Sequence, residues 1–120
     1  RAAVESMVYQ TNDILDEVLK LGASEIKVDG CAAASDFLCQ FLADVSGLNV
    51  KRPTQLERTA LGAAFIAGLS IGFWKDIKEV ESLWKLDRIF TPAVNQELSE
   101  ILKQEWKAAV NKTLTGHRTR

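Results

Sequence analysis

The segment Asp29-Gly30-Cys31-Ala32-Ala33-Ala34-Ser35 gathers small residues where a short extended run gives way to a helical one. Such a turn leaves the carboxyl end of a strand and directs the free N–H groups of the next helix at whatever lies there, an arrangement that suits a phosphate. Small side chains let a ligand touch backbone. Spacing alone does not decide the matter, because neither G-x-x-x-x-G-K-S/T nor G-x-G-x-x-G is present. An ordinary tight turn between strand and helix accounts for the same residues.

The remaining candidates carry less. Asp29 has the chemistry of a base or a metal ligand, but an acidic residue at a strand end serves equally as a turn former, and no partner carboxylate is fixed nearby. Cys31, at a helix start, has the placement of a nucleophile. The only histidine is His117, so no Cys–His pair is expected, and Ser35 lacks a G-x-S-x-G elbow. Ser35 reads as a helix cap. Trp74, Trp84 and Trp106 can stack on a base or sugar, yet each falls near an apolar helical face, which points to packing. Phosphoryl transfer needs a positioned base, metal-binding carboxylates and phosphate clamps, and this chain offers one clamp at most.

The elements that position the turn follow from periodicity. Val4, Met7, Val8, Ile14, Leu15, Val18 and Leu19 recur at helical spacing up to Gly22. Ile26 and Val28 alternate with Lys27 and Asp29 as a strand. Ser35 or Asp36 caps a helix with Leu38, Phe41, Leu42 and Val45 on one face, closed by Gly47. Leu48 and Val50 form a second strand, stopped by Arg52-Pro53. Strand, helix and strand in this length predict a parallel βαβ unit with a right-handed crossover. Thr54 to Glu57 has capping-box spacing and opens an apolar helix, Ala60 to Gly72, that calls for burial on several sides. Asp76 to Glu79 caps a short helix, a loop with Pro92 follows, and the final helix, about Asn95 to Thr113, sets Leu98, Ile101, Leu102, Trp106 and Ala109 inward and Lys103, Lys107 and Lys112 outward. Two strands expose unpaired edges, so upstream strands are expected.

With 120 residues, 47% hydrophobic and 26% charged, the chain is sized and composed as one globular domain. A net charge of −1 gives no footprint for nucleic acid or an anionic membrane, and the basic end, His117 to Arg120, is too short to change that. The apolar stretch Ala60 to Trp74 is 15 residues long, short of the roughly 20 needed to span a bilayer. Two cysteines without disulfide-scaffold or zinc spacing fit a reducing, cytoplasmic setting. The chain opens on Arg1 and then on helix-like Ala2-Ala3-Val4, as a piece of a longer protein would.

Taken together, Arg1 to Thr11, Val28-Asp29-Gly30, Thr59 to Gly68, Gly72-Phe73-Trp74, Phe90-Thr91-Pro92 and Trp106 to Val110 resemble the C-terminal part of the FGGY carbohydrate kinases, in their glycerol kinase branch. The resemblance covers residue 1 to about residue 112. It implies an α/β fold: an incomplete ribonuclease-H-like domain of the actin-like ATPase kind, helix-rich, with a short parallel βαβ unit. It also implies ATP as co-substrate, Mg2+ held by residues outside this chain, glycerol as acceptor, an N-terminal kinase domain as partner and a homo-oligomer. An isolated piece is expected to be inactive. Carried over by motif, the nucleotide contacts are Gly30, Cys31 and Ala32 at the phosphates and Ser35 at the adenine. Cys31 stands where the family has a second glycine, and Ser35 where it has asparagine. No catalytic residue is carried over. Another sugar or polyol as acceptor, or a non-catalytic interaction module, are the alternative readings.

Overall fold

The computed structural model describes residues 1–20 and 22–115; the basic end, His117 to Arg120, lies outside the described residues. Helix α1 (Ala2–Leu19) leads to strand β1 (Glu25–Lys27), a one-turn 3-10 helix (Cys31–Ala34), helix α2 (Asp36–Ser46) and strand β2 (Asn49–Pro53). Helices α3 (Arg58–Ser70) and α4 (Ile77–Ser82), strand β3 (Leu86–Phe90) and helix α5 (Gln96–Thr115) complete it.

Local signals set most boundaries. Ser35 caps α2, its Oγ accepting from the Leu38 N–H at 3.2 Å, and Gly47 ends it at φ 73°, a left-handed position that glycine takes at little cost. Asp76 caps α4 by accepting from Glu79 N at 3.0 Å, while Glu79 accepts from Lys75 N at 2.7 Å. Asn95 accepts from Leu98 N at 2.9 Å to open α5.

The sheet order is β1-β2-β3, with β1 parallel and β3 antiparallel to the central β2. The parallel βαβ unit is as the spacing predicts. The third strand is not expected: Leu86 to Phe90 falls in the stretch read as a loop before Pro92, and in the structure only its Phe90 is buried. Strand β2 runs on through Arg52 to Pro53, where the ladder is irregular, so the proline sits where a missing N–H costs no regular pairing.

Val8, Ala33, Cys39, Leu42, Ala43, Val45, Val50 and Phe90 form the core, where α2 meets α1, β2 and β3. Tyr9 of α1 meets Phe41 edge-on at 5.4 Å and stacks on Trp106 of α5 at 5.2 Å, which ties both outer helices to α2. Trp106 also donates to Asp13 at 2.9 Å. In α5 the inward stripe is rotated from the expected one. Ser99 is buried and donates to the Val45 carbonyl at 2.8 Å, and Lys103 is 15% exposed, whereas Leu98 and Ile101 face outward. The Ser99 hydroxyl satisfies a carbonyl in the last turn of α2, where intrahelical donors are lacking.

Two expectations about α3 need correction. Its capping box does not form: Thr54 N donates to the Lys85 carbonyl at 2.9 Å and Leu56 O accepts from Gly30 N at 3.0 Å, so this stretch is held outside the helix until Arg58. Nor is α3 buried on several sides. Ile66 is 72% exposed, and Ile71 and Phe73 just beyond are 80% and 72% exposed. One small residue has a clear purpose: a Cβ on Gly68 would lie 2.1 Å from the Trp74 ring, which in turn meets Phe65 and Phe73 edge-on. The radius of gyration is 18.0 Å, against about 14 Å for a compact domain of this length.

Candidate nucleotide site at the strand ends

The turn after β1 is built on Gly30, with φ 79° and ψ 170°, a conformation open almost only to glycine. Its N–H donates to the Leu56 carbonyl at 3.0 Å, and its carbonyl accepts from Ala33 N at 3.1 Å. Ser35 N closes the 3-10 turn on Ala32 O at 3.1 Å. Among the described residues the N–H groups of Cys31 and Ala32 donate to no backbone carbonyl outside the 3-10 helix, as is usual for the first N–H groups of a helical turn. Cys31 is exposed and at negative φ, so the thiol costs the backbone nothing.

The four carried-over residues are brought together on one turn, but they do not share one cavity. Ala32 and Asp29 line a groove of about 190 Å³ with Met7, Val8 and Thr11 of α1. Asp29 also lines a larger cleft, about 590 Å³, on the other side of the strand end, with Lys27, Arg58, Phe65, Glu81 and Trp84. Gly30, Cys31 and Ser35 line neither of these two. Ser35 Oγ accepts one hydrogen bond as the α2 cap, leaving its O–H to donate. Of the three tryptophans, Trp84 departs from plain packing: it faces the cleft with Lys27 Nζ 5.0 Å above its ring.

Sequence reasoning missed the charged cluster behind the turn. Arg52, read only as a strand stop, donates from Nη1 to Asp36 Oδ1 at 2.7 Å and from Nε to Asp87 Oδ2 at 2.8 Å, and its side chain is 13% exposed. Arg88 lies directly opposite Arg52 in the ladder and donates to Asp36 Oδ2 at 2.7 Å. Two like charges facing each other across strands repel, and the Asp36 carboxylate between them removes that cost. Both guanidiniums also lie over Phe90, at 5.1 and 4.7 Å. Buried Cys39 donates its S–H to the Ala33 carbonyl at 3.3 Å, and burial pushes its thiol up, away from thiolate chemistry.

The Arg52 hydrogen bond, with Arg88 adding to it, holds the Asp36 carboxyl below the usual carboxylate range. Its folded pKa thus lies below its unfolded one, so the stabilisation is full above the unfolded value and is lost as pH falls through the folded value. Urea midpoints are expected to drop on acidification below about pH 4. Asp36→Asn should lower the neutral-pH midpoint and flatten that part of the profile; an unchanged acid slope would show that other carboxylates set it.

Residues 1–71, more than half of the chain, match the C-terminal domain of the FGGY family of carbohydrate kinases. The chain belongs to this family. Among similar FGGY proteins, glycerol kinase 2 of Thermotoga maritima is 47% identical over 117 residues, covering 95% of this chain and 24% of the relative. The glycerol kinase of Pseudothermotoga lettingae is also 47% identical over 117 residues, covering 95% of this chain and 23% of its own. This chain therefore spans about a quarter of the length of the curated relatives it matches. The crystal structure of Plasmodium falciparum glycerol kinase with ADP superposes with a TM-score of 0.77 at 28% identity, over 95% of this chain and 24% of that one. A xylulose kinase from Lactobacillus acidophilus gives 0.74 at 19% identity, over 98% of this chain and 24% of that one, a likeness of fold alone. The mixed α/β fold with its parallel βαβ unit is the one these FGGY structures share. No described helix is long and apolar enough to cross a membrane.

Proposed function

We propose that this chain is the C-terminal, nucleotide-binding portion of a glycerol kinase, which transfers the ATP γ-phosphoryl group to glycerol and yields glycerol 3-phosphate. The observation that carries the reading is the 47% identity to glycerol kinases over 117 residues, a span that contains the Gly30 turn. In this reading the backbone of Gly30, Cys31 and Ala32 meets the phosphates, and Ser35 donates to the adenine side. The two N–H groups at the start of the turn fit an anionic oxygen, and the exposed Cys31 side chain leaves the backbone path as it is.

Catalysis needs more than this chain supplies. No group of three or more metal-ligating side chains gathers among the described residues, so the base and the Mg2+ ligands are assigned to an N-terminal kinase domain in a longer protein. The exposed apolar residues along and beyond α3 support a partner surface, toward that domain or a second copy. The free cysteines suit a cytoplasmic protein.

The test is glycerol-dependent ADP release by the longest natural chain that carries this segment. Stimulation by glycerol above that by a panel of other polyols and sugars is expected. A different preferred acceptor would keep the kinase and replace the substrate, and no acceptor-dependent release would leave a non-catalytic module.

A further inference from the structure

We infer that Arg52 is a positioning residue for the nucleotide turn, an inference that rests on the nucleotide reading above. Its Nη1 donates to the carbonyls of Ala33 and Ala34, at 3.2 and 3.4 Å, as well as to Asp36. Those two carbonyls form the closing end of the 3-10 turn whose opening end carries the Cys31 and Ala32 N–H groups.

Because a peptide unit is planar, holding the Ala33 and Ala34 carbonyls also fixes the N–H groups of Ala34 and Ser35. Cys39 Sγ meets the same Ala33 carbonyl, and the Leu56 carbonyl holds Gly30 N at the other end. Arg52 and Leu56 both come from β2 and its continuation. The register of the central strand therefore sets where the turn stands. The guanidinium is itself immobilised, by Asp87 on β3, by Asp36 on α2 and by the Phe90 ring beneath it.

Lysine keeps the charge but lacks the planar fork, so it cannot reach two carbonyls and two carboxylates from one position. Arg88 provides the comparison. It shares Asp36 and Phe90 with Arg52 but donates to neither turn carbonyl.

The experiment is steady-state kinetics on the longest natural chain carrying this segment, as wild type, Arg52→Lys and Arg88→Met. Arg52→Lys is expected to raise the nucleotide KM by about tenfold, while kcat and the acceptor KM stay within about twofold. Arg88→Met should leave all three unchanged. A loss confined to the active fraction, with nucleotide KM unmoved, would overturn the inference, as would an equal rise in Arg88→Met. Should the wild type transfer no phosphoryl group, the kinase reading fails by itself. Amide exchange then decides for Arg52: faster exchange at Ala33 and Ser35 in Arg52→Lys, with Ala43 and Val45 unchanged, supports its hold on the turn, and unchanged exchange overturns it.

Discussion

Phe90→Ala is expected to destabilise the chain by about 3–5 kcal/mol, the usual cost of truncating a fully buried aromatic. Phe90 is 2% exposed and pairs with Val50 across the β2–β3 ladder. Its ring does more than fill volume, because Arg52 and Arg88 both rest their guanidiniums on it. Removing the ring leaves a cavity beside α2 and frees the two arginines that hold Asp36. An ordinary domain has about 5–15 kcal/mol in total, so a loss of this size brings much of the population to the unfolded state at moderate temperature. Phe90→Leu should cost far less, about 1.5 kcal/mol, because most of the volume stays. Urea denaturation of the three proteins checks the order. A Phe90→Ala midpoint equal to that of the wild type would show that β3 contributes little to the folded state.

Gly30→Val is expected to cost about 1–3 kcal/mol and to weaken nucleotide binding at the same time. A Cβ at Gly30 would meet nothing within 4 Å, so crowding is not the cause. The cause is φ 79° with ψ 170°, where a β-branched side chain collides with its own backbone. To escape, the chain must rotate at residue 30, which breaks the bond from Gly30 N to Leu56 O or the one from Ala33 N to Gly30 O. Either change turns the Cys31 and Ala32 N–H groups away from their present direction. Cys31→Gly is the counterpart: Cys31 already sits at negative φ and is exposed, so stability should move by less than about 1 kcal/mol. Denaturation midpoints and nucleotide KM, measured together on the two variants, test this. A Gly30→Val protein with unaltered stability and KM would mean that the turn does not need its left-handed residue.

The elements whose signals lie among neighbouring residues were legible in the sequence. Caps at Ser35 and Asp76, the glycines that end elements at 30 and 47, and the 3.6-residue period of α1, α2 and α5 are written within a few positions of one another. Such features depend on local hydrogen bonds and backbone sterics, which tertiary context seldom reverses. The resemblance carried by the ordered motifs then pointed to this turn as the candidate nucleotide contact, with departures from the family pattern at Cys31 and Ser35.

What escaped depends on partners far apart in the chain. Strand β3 exists because β2 offers it a ladder, not because Leu86 to Phe90 alternates. The capping box at Thr54 fails because Lys85 takes the Thr54 N–H and Gly30 engages Leu56. Arg52 reads locally as the residue before a proline, yet its partners are Ala33, Asp36 and Asp87, 19, 16 and 35 positions away. The sequence by itself determined which residues make the turn and that a glycine ends the strand before it. Only the tertiary structure decided what holds that turn in place, because an arginine's fork finds its acceptors through space once the central strand has set its height.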